Sequence, residues 1–167
     1  MAKFKAYFDD NDEEVEFTVF IMHGHSLEWK KINSYINDIL NFRTVVLKES
    51  FSGKVVFDKF RDTVWEKIDC AVAILTPDDQ LNDGNFRARQ NIIYELGYCQ
   101  GVFDSFYEDE DYDSDYERVI MIKHNAVNLH EISDLLGVEC LEFSNNIEST
   151  FTQLGKTLKG IYKELKD

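Results

Sequence analysis

The sequence is poor in cysteine and proline, and it has no long apolar run. Its 167 residues include three cysteines and one proline. Cys70, Cys99 and Cys140 each stand among apolar residues, and no pair has the Cys-x-x-Cys spacing of a redox or zinc site. We therefore expect three buried, reduced thiols in a cytoplasmic protein. No run approaches the roughly 18 apolar residues of a membrane helix, and the first residues lack the apolar core of a signal peptide, so we expect neither feature.

Basic residues are also scarce, with 18 lysines and arginines against 32 acids and a net charge of −14. Six of the acids lie in residues 9–16 and seven in residues 108–117, and neither segment contains a base. Outside these segments acids and bases are nearly balanced. The chain lacks the basic field that non-specific binding to nucleic acid or an anionic membrane requires, so we expect neither partner. A small anionic ligand held by a few local bases remains compatible with this composition.

Short apolar segments alternate with segments of helical periodicity along the chain. The pattern predicts strands at 17–22, 44–47, 70–75, 119–122 and 138–143, and helices at 27–40, 55–67, 87–103, 129–136 and 147–165. Such alternation predicts an α/β fold with a five-stranded parallel sheet and helices on both of its faces. We interpret residues 1–16 as an acidic lead-in and residues 17–167 as one domain, with an acidic insert at 104–117.

Five strands fit the flavodoxin-like order 2-1-3-4-5, in which ligands bind beyond the carboxyl ends of the strands at the point where the order reverses. The first and third strands flank that point. They end at His23-Gly24-His25 and at a segment that begins with Thr76 and includes Asp78 and Asp79. The polar residues of these two loops are therefore candidate ligand contacts.

Several familiar motifs are absent. Residues 51–54, Phe-Ser-Gly-Lys, resemble part of a phosphate loop, but Lys48 stands where that motif needs glycine and Val55 where it needs serine or threonine. The chain also lacks Gly-x-Gly-x-x-Gly. The aspartates that begin at Asp109 do not form a calcium loop, because its glycine and glutamate positions hold Ser114 and Ile120. His23 and His25 could bind a metal together with Asp78 or Asp79, but no other histidine or cysteine is close in sequence, so we expect loop residues and no metal.

One predicted helix carries a polar row beside its apolar one. Arg87, Asn91 and Glu95 are four residues apart, so a helix beginning at Arg87 would place them on one face. A lone glutamate on a helix is usually solvated. Here the flanking Ile92 and Leu96 are typical of a packed helix, which would place the Glu95 carboxylate at the edge of the core. The row indicates a polar ligand site more than a solvated surface.

Three blocks together resemble a known family. They are Val-Phe-Ile-Met-His-Gly-His at 19–25, Ala-Ile-Leu-Thr-Pro-Asp-Asp at 73–79 and Arg-Ala-Arg-Gln-Asn-Ile-Ile-Tyr-Glu-Leu-Gly-Tyr at 87–98. They resemble the bacterial TIR-like domains described as predicted nucleotide-binding proteins, whose relatives are effectors in STING-linked and Pycsar anti-phage systems. The similarity runs from about residue 17 to residue 165, and the third block is its most specific part.

The resemblance implies a function as well as a flavodoxin-like TIR fold. In that family the glutamate matching Glu95 is catalytic for NAD+ cleavage, and the loop matching roughly residues 48–54 gates the site and joins neighbouring subunits. The resemblance therefore implies an NAD+ glycohydrolase that needs no cofactor, acts in defence or cell death, and is activated by assembly into a homo-oligomer or filament. The sequence contains no recognisable sensing domain, so we expect either that a separate sensor chain supplies the signal or that the sequence is an excised domain. The insert at 104–117 departs from the short turn of many relatives and puts the same mode of assembly in doubt.

The candidate site then has one catalytic residue, Glu95, and a set of substrate contacts. These contacts are His23, Gly24, His25, Ser52, Lys54, Thr76, Asp78, Asp79, Arg87, Arg89 and Asn91. Attack by water would give ADP-ribose, and attack by the adenine would give a cyclic product. Two alternatives remain open: a non-catalytic TIR module that signals by self-association, and an enzyme similar to nucleoside deoxyribosyltransferases with a carboxylate nucleophile.

Overall fold

The computed structural model describes residues 17–46, 64, 68–105, 115–129 and 139–166. The strands are β1 Thr18–His23, β2 Arg43–Val46, β3 Cys70–Leu75, β4 Asp79–Gln80, β5 Phe86–Arg87, β6 Val119–His124 and β7 Leu141–Phe143. The helices are α1 Glu28–Ser34, which continues as a π-helical turn Tyr35–Ile39, then α2 Gln90–Asp104, and a 3₁₀ turn Ile147–Thr150 that leads into α3 Phe151–Lys166. None of these helices is long and apolar enough to cross a membrane.

Five of the strands form one parallel sheet in the order β2-β1-β3-β6-β7. This is the predicted order 2-1-3-4-5 once the two strands outside the sheet, β4 and β5, are left out of the count. The α/β fold and its five-stranded parallel sheet are thus confirmed. The central strands β1 and β3 are buried along almost their whole length, as their continuous apolar sequences predict.

Alternate residues of the sheet face two separate apolar clusters. Val19 and Ile21 of β1 face the cluster that holds α1 and α3, where Leu154 and Leu158 are fully buried. Phe20 and Met22 of the same strand face the opposite cluster, which holds the apolar side of α2 and also Val64. This alternation with a period of two places helices on both faces of the sheet. The helix α2 and its glutamate therefore lie on the face opposite to α1.

The segment before α2 differs from the sequence-based prediction. Between the third strand of the sheet and α2 the chain forms an antiparallel hairpin, in which β4 pairs with β5. Its turn contains Gly84 at φ 86°, in the left-handed region that favours glycine. Because Arg87 belongs to β5, α2 begins at Gln90, and the prediction of a helix starting at Arg87 is wrong.

Other predictions fall partly or wholly outside the described residues. These are the helix at 55–67, of which Val64 alone is described as helical, the helix at 129–136, the lead-in 1–16 and most of the insert 104–117. All three cysteines are free thiols, but Cys140 is only half-buried, so the expectation of three buried thiols holds for Cys70 and Cys99. Burial raises the pKa of Cys99 to about 12, which keeps this thiol protonated and unreactive.

Candidate functional site

The loops that follow β1, β3, β6 and β7 surround a cleft of about 480 Å³ at the carboxyl edge of the sheet. This is the edge at which parallel α/β sheets bind their ligands, and the volume lies within the range of small-molecule sites. One wall comes from β1, β3 and the start of α1, and consists of His25, Ser26, Glu28, Thr76, Pro77 and Asp78. The other comes from β6 and β7, and consists of His124, Phe143, Ser144 and Asn145.

Asp78 joins the β1 and β3 loops of the first wall. Its Oδ1 accepts hydrogen bonds from the backbone N–H of His25 at 3.2 Å and from the Thr76 hydroxyl at 3.0 Å. Its Oδ2 lies against Gly24, where a Cβ would stand only 1.7 Å from that oxygen. The sequence predicts Gly24 as a substrate contact, but the space beside its Cα is filled by Asp78. Gly24, Thr76 and Asp78 thus connect the loop after β3 to the loop after β1, which contains His25.

The two histidines after β1 have different surroundings. The Nδ1 of His23 donates to the Gly24 carbonyl oxygen at 2.8 Å, and its ring stacks on Trp29 with centroids 4.5 Å apart. His23 does not line the cleft, contrary to the expectation, whereas the exposed His25 does. Across the described ranges, no three histidine, cysteine, aspartate or glutamate side chains come together as metal ligands could.

The residues of the second wall are not among the site residues predicted from the sequence. The Nδ1 of His124 accepts a hydrogen bond from the backbone N–H of Ala126 at 3.0 Å, and its ring forms a T-shaped pair with the Phe143 ring, with centroids 5.1 Å apart. Ser144 Oγ accepts a hydrogen bond from the Asn125 amide at 2.8 Å. A signal was available, because His124 and Ser144 come at the ends of the fourth and fifth predicted strands, and ligand sites form at such ends.

Glu95 lies in the second turn of α2, between Ile92 and Leu96, which are each 1% exposed and pack against the sheet. Its own side chain is half-buried. Burial raises the pKa of the Glu95 carboxyl from 4.5 to about 7, and the nearby Arg89 guanidinium opposes that rise. A carboxylate with a strongly raised pKa is a candidate functional group, because desolvation also strengthens its interaction with any positive charge that develops beside it.

The predicted polar row along α2 is shorter than expected. Asn91 and Glu95 are four residues apart in the helix and share a face, but Arg87 is in β5, where it pairs with Asp79 across the hairpin. Arg87 Nε and Asp79 Oδ2 are 3.7 Å apart, so each compensates part of the other's charge. Arg89 occupies the position just before α2. Arg87 is therefore removed from the helical row.

Glu95 and the cleft are separate features of the described structure. Neither Glu95, Arg87, Arg89, Asn91 nor Asp79 lines the cleft, which opens on the loops of β1, β3, β6 and β7. The predicted contacts Ser52 and Lys54 lie outside the described residues. The structure brings His25, Thr76 and Asp78 together at the cleft and leaves the groups around α2 as a second cluster.

Most of the chain matches a known protein family. Residues 18–145 match the family described as "CAP12/Pycsar effector protein, TIR domain". The chain is also similar to "Uncharacterized protein YuaY" of Escherichia coli (strain K12), with 29% identity over 89 residues, which are 50% of this chain. The match covers 29% of that relative, so the chain spans well under half of the relative's length.

Proposed function

The chain belongs to the TIR-domain family of CAP12/Pycsar effector proteins, and from that membership we propose that it cleaves the bond between nicotinamide and ribose in NAD+. The observation that carries this proposal is the half-buried carboxyl of Glu95 on the helix after β3, with a pKa of about 7. Such a group is costly to keep on a purely structural helix face, because burial disfavours its charged form. Stabilisation of a positive charge that develops during the reaction would explain why Glu95 occupies this position.

One carboxylate suffices for this reaction. Ordinary glycosidases use two, because one must protonate the leaving oxygen. Nicotinamide leaves NAD+ as a neutral molecule when the bond to ribose C1′ breaks, and the bonding electron pair neutralises the ring nitrogen. Glu95 would bind the ribose hydroxyls and stabilise the oxocarbenium-like transition state. Water then attacks C1′ and loses a proton, which gives ADP-ribose.

The ionised form of Glu95 is the one this mechanism needs. With a pKa of about 7 the carboxyl is half-protonated at neutral pH in the free protein. The nicotinamide ring of bound NAD+ is positively charged, and a nearby positive charge lowers a carboxyl pKa. Substrate binding would therefore ionise Glu95 in the complex, in surroundings where exclusion of water makes its charge more effective.

The pyrophosphate of NAD+ would lie at the start of α2. Arg89 stands just before the helix, whose first turn contains no acidic residue, so its N–H groups and positive end favour an anion. Arg87 would contribute less, because Asp79 shares its charge. Ser52 and Lys54 stay candidates on sequence grounds. Assembly into a homo-oligomer or filament, and activation through a separate sensor chain, are also part of this proposal.

The test is NAD+ turnover at high protein concentration, with the products separated by chromatography. We expect Glu95→Gln to reduce turnover by about 100-fold or more, the usual loss when a transition-state stabiliser is removed. Glu139→Gln, the same change at an exposed position, is the matched control and should retain full turnover. Undiminished turnover in Glu95→Gln would refute the mechanism. Self-association without NAD+ loss would instead favour a non-catalytic module, and base exchange with a sugar adduct on Glu95 would favour a deoxyribosyltransferase.

A further inference from the structure

The charge of the cleft differs from that of the α2 cluster. Two carboxylates, Glu28 and Asp78, line the cleft, and none of its described lining residues is a lysine or arginine. Glu28 is partly compensated by Lys31 at 3.3 Å, which also contacts Glu148 at 3.2 Å. Arg87 lies in the hairpin and Arg89 lies just before α2. A phosphate group is therefore disfavoured in the cleft, whereas an uncharged ligand that forms hydrogen bonds is well suited to it.

The far wall of the cleft offers hydrogen-bonding groups on an aromatic support. Because Ala126 donates its N–H to Nδ1 of His124, the neutral ring carries its proton on Nε2. Within the described ranges Nε2 has no partner, so it can donate to a ligand. Asn145 is exposed in the cleft and presents an amide that both donates and accepts. Phe143 is 4% exposed and supports the His124 ring edge-on.

We propose that this cleft binds the adenosine part of NAD+, an inference that rests on the proposed function. The Asn145 amide pairs with the N6 and N7 edge of adenine, as amide side chains do when they read adenine in nucleic acids. His124 donates from Nε2 to an acceptor of the nucleoside. The pyrophosphate leaves the cleft toward Arg89, and the nicotinamide riboside reaches Glu95.

Because Glu95 lies outside the cleft, its position determines which half of NAD+ occupies the cleft. The nicotinamide riboside must contact Glu95 for its bond to be cleaved, and Glu95 does not line the cleft. Adenosine carries no charge, which agrees with the absence of lysine and arginine among the described lining residues. The two halves of the dinucleotide therefore occupy the cleft and the cluster around α2, which are connected by the chain that follows β3.

The test measures binding of adenosine and of nicotinamide riboside by calorimetry, with the Glu95→Gln protein so that no turnover interferes. We expect adenosine to bind without being displaced by nicotinamide riboside. Asn145→Ala in the same background should weaken adenosine binding roughly 5- to 100-fold, the discrimination typical of a bidentate amide–adenine pair. Asn82→Ala, the same change at an exposed residue of the hairpin turn outside the cleft, should leave it unchanged.

The proposal is overturned if adenosine does not bind, if nicotinamide riboside displaces it, or if Asn145→Ala binds it as tightly as the parent protein. Asn145→Asp is a second variant that keeps the size of the side chain but removes the N–H donors. It should weaken adenosine binding as well, and unchanged binding would argue against amide recognition. Adenosine binding that depends on Asn145 in a protein that does not cleave NAD+ would overturn the proposed activity alone. Cleavage with a KM unaffected by Asn145→Ala would overturn the cleft assignment alone.

Discussion

Replacement of Glu95 by glutamine should stabilise the folded protein at pH 8 while having little effect near pH 4. In the folded protein the pKa of this carboxyl is raised from 4.5 to about 7 by burial. Below pH 4.5 the group is protonated in both the folded and the unfolded chain, so it carries no penalty. Between these pH values the unfolded chain ionises first, and the free energy of unfolding falls as the pH rises. Above about pH 7 the whole penalty is present.

The size of the effect follows from the two pKa values. Each pH unit between them corresponds to about 1.4 kcal/mol, so the change from 4.5 to about 7 amounts to about 3 kcal/mol at pH 8. The glutamine amide is neutral but still polar, so part of the desolvation cost remains and this figure is an upper bound. For a domain of this size, a gain of 2 kcal/mol would raise Tm by roughly 4–8 °C.

The assay is urea unfolding of the wild type and of Glu95→Gln between pH 4.5 and pH 8, followed by circular dichroism. The difference in the free energy of unfolding should grow with pH and level off above about pH 7. Glu139→Gln, at an exposed carboxylate, serves as the control and should show no such growth. If Glu95→Gln were no more stable than the wild type at pH 8, Glu95 would be a solvated side chain and the argument for its special environment would be wrong.

Three further predictions concern turnover and packing. NAD+ turnover at low substrate concentration should rise with pH, with its midpoint near pH 7, because under these conditions the rate reports the ionisation of Glu95 in the free enzyme. A flat profile between pH 5.5 and 8 would contradict this. Gly24→Ala should lower the free energy of unfolding by about 1–3 kcal/mol, since its Cβ would lie 1.7 Å from Asp78 Oδ2. In an Asp78→Ala background, Gly24→Ala should lower the free energy of unfolding much less, as measured by urea unfolding. An equal decrease in both backgrounds would refute the contact. In α3, Gly155→Ala should destabilise, because its Cβ would lie 2.3 Å from the Tyr35 hydroxyl oxygen. With Tyr35→Phe, the same change should become stabilising by up to about 1 kcal/mol through helix propensity, which thermal unfolding would detect.

The elements of the sheet could be predicted because their signal is local. Continuous apolar runs such as Cys70–Leu75 identify strands that are buried on both faces, and the alternation with helical segments implies a parallel sheet in a standard order. Glu95 could be recognised as unusual for a similar reason, since Ile92 and Leu96 beside it are typical of a packed helix. The position of His25 at the cleft follows from its place after the first strand.

The start of α2 could not be read from local periodicity. Arg87, Asn91 and Glu95 have helical spacing, but pairing of β5 with β4 removes Arg87 from the helix. The dipeptide Asp83-Gly84 is typical of a hairpin turn, but the helical spacing after it favours a helix beginning at Arg87. Hydrogen bonds form across a hairpin when a turn brings two segments of the chain together. The spacing of polar residues along one of these segments does not reveal that pairing.

The sequence by itself therefore determined the α/β class and the position of one half-buried carboxyl, because each depends on apolar patterns within single elements, and the order of the sheet followed from the standard topology of that class. Only the tertiary structure decided that Gly24 makes room for Asp78, which is 54 positions away, and that His124 and Asn145 form the far wall of the cleft. Contacts of this kind depend on the distance between strand ends in space, which the order of the sheet sets and the local sequence does not contain. Of the predicted polar row, Glu95 lies on α2 and Arg87 lies in the hairpin, whereas the residues proposed to bind adenosine lie at the ends of β6 and β7.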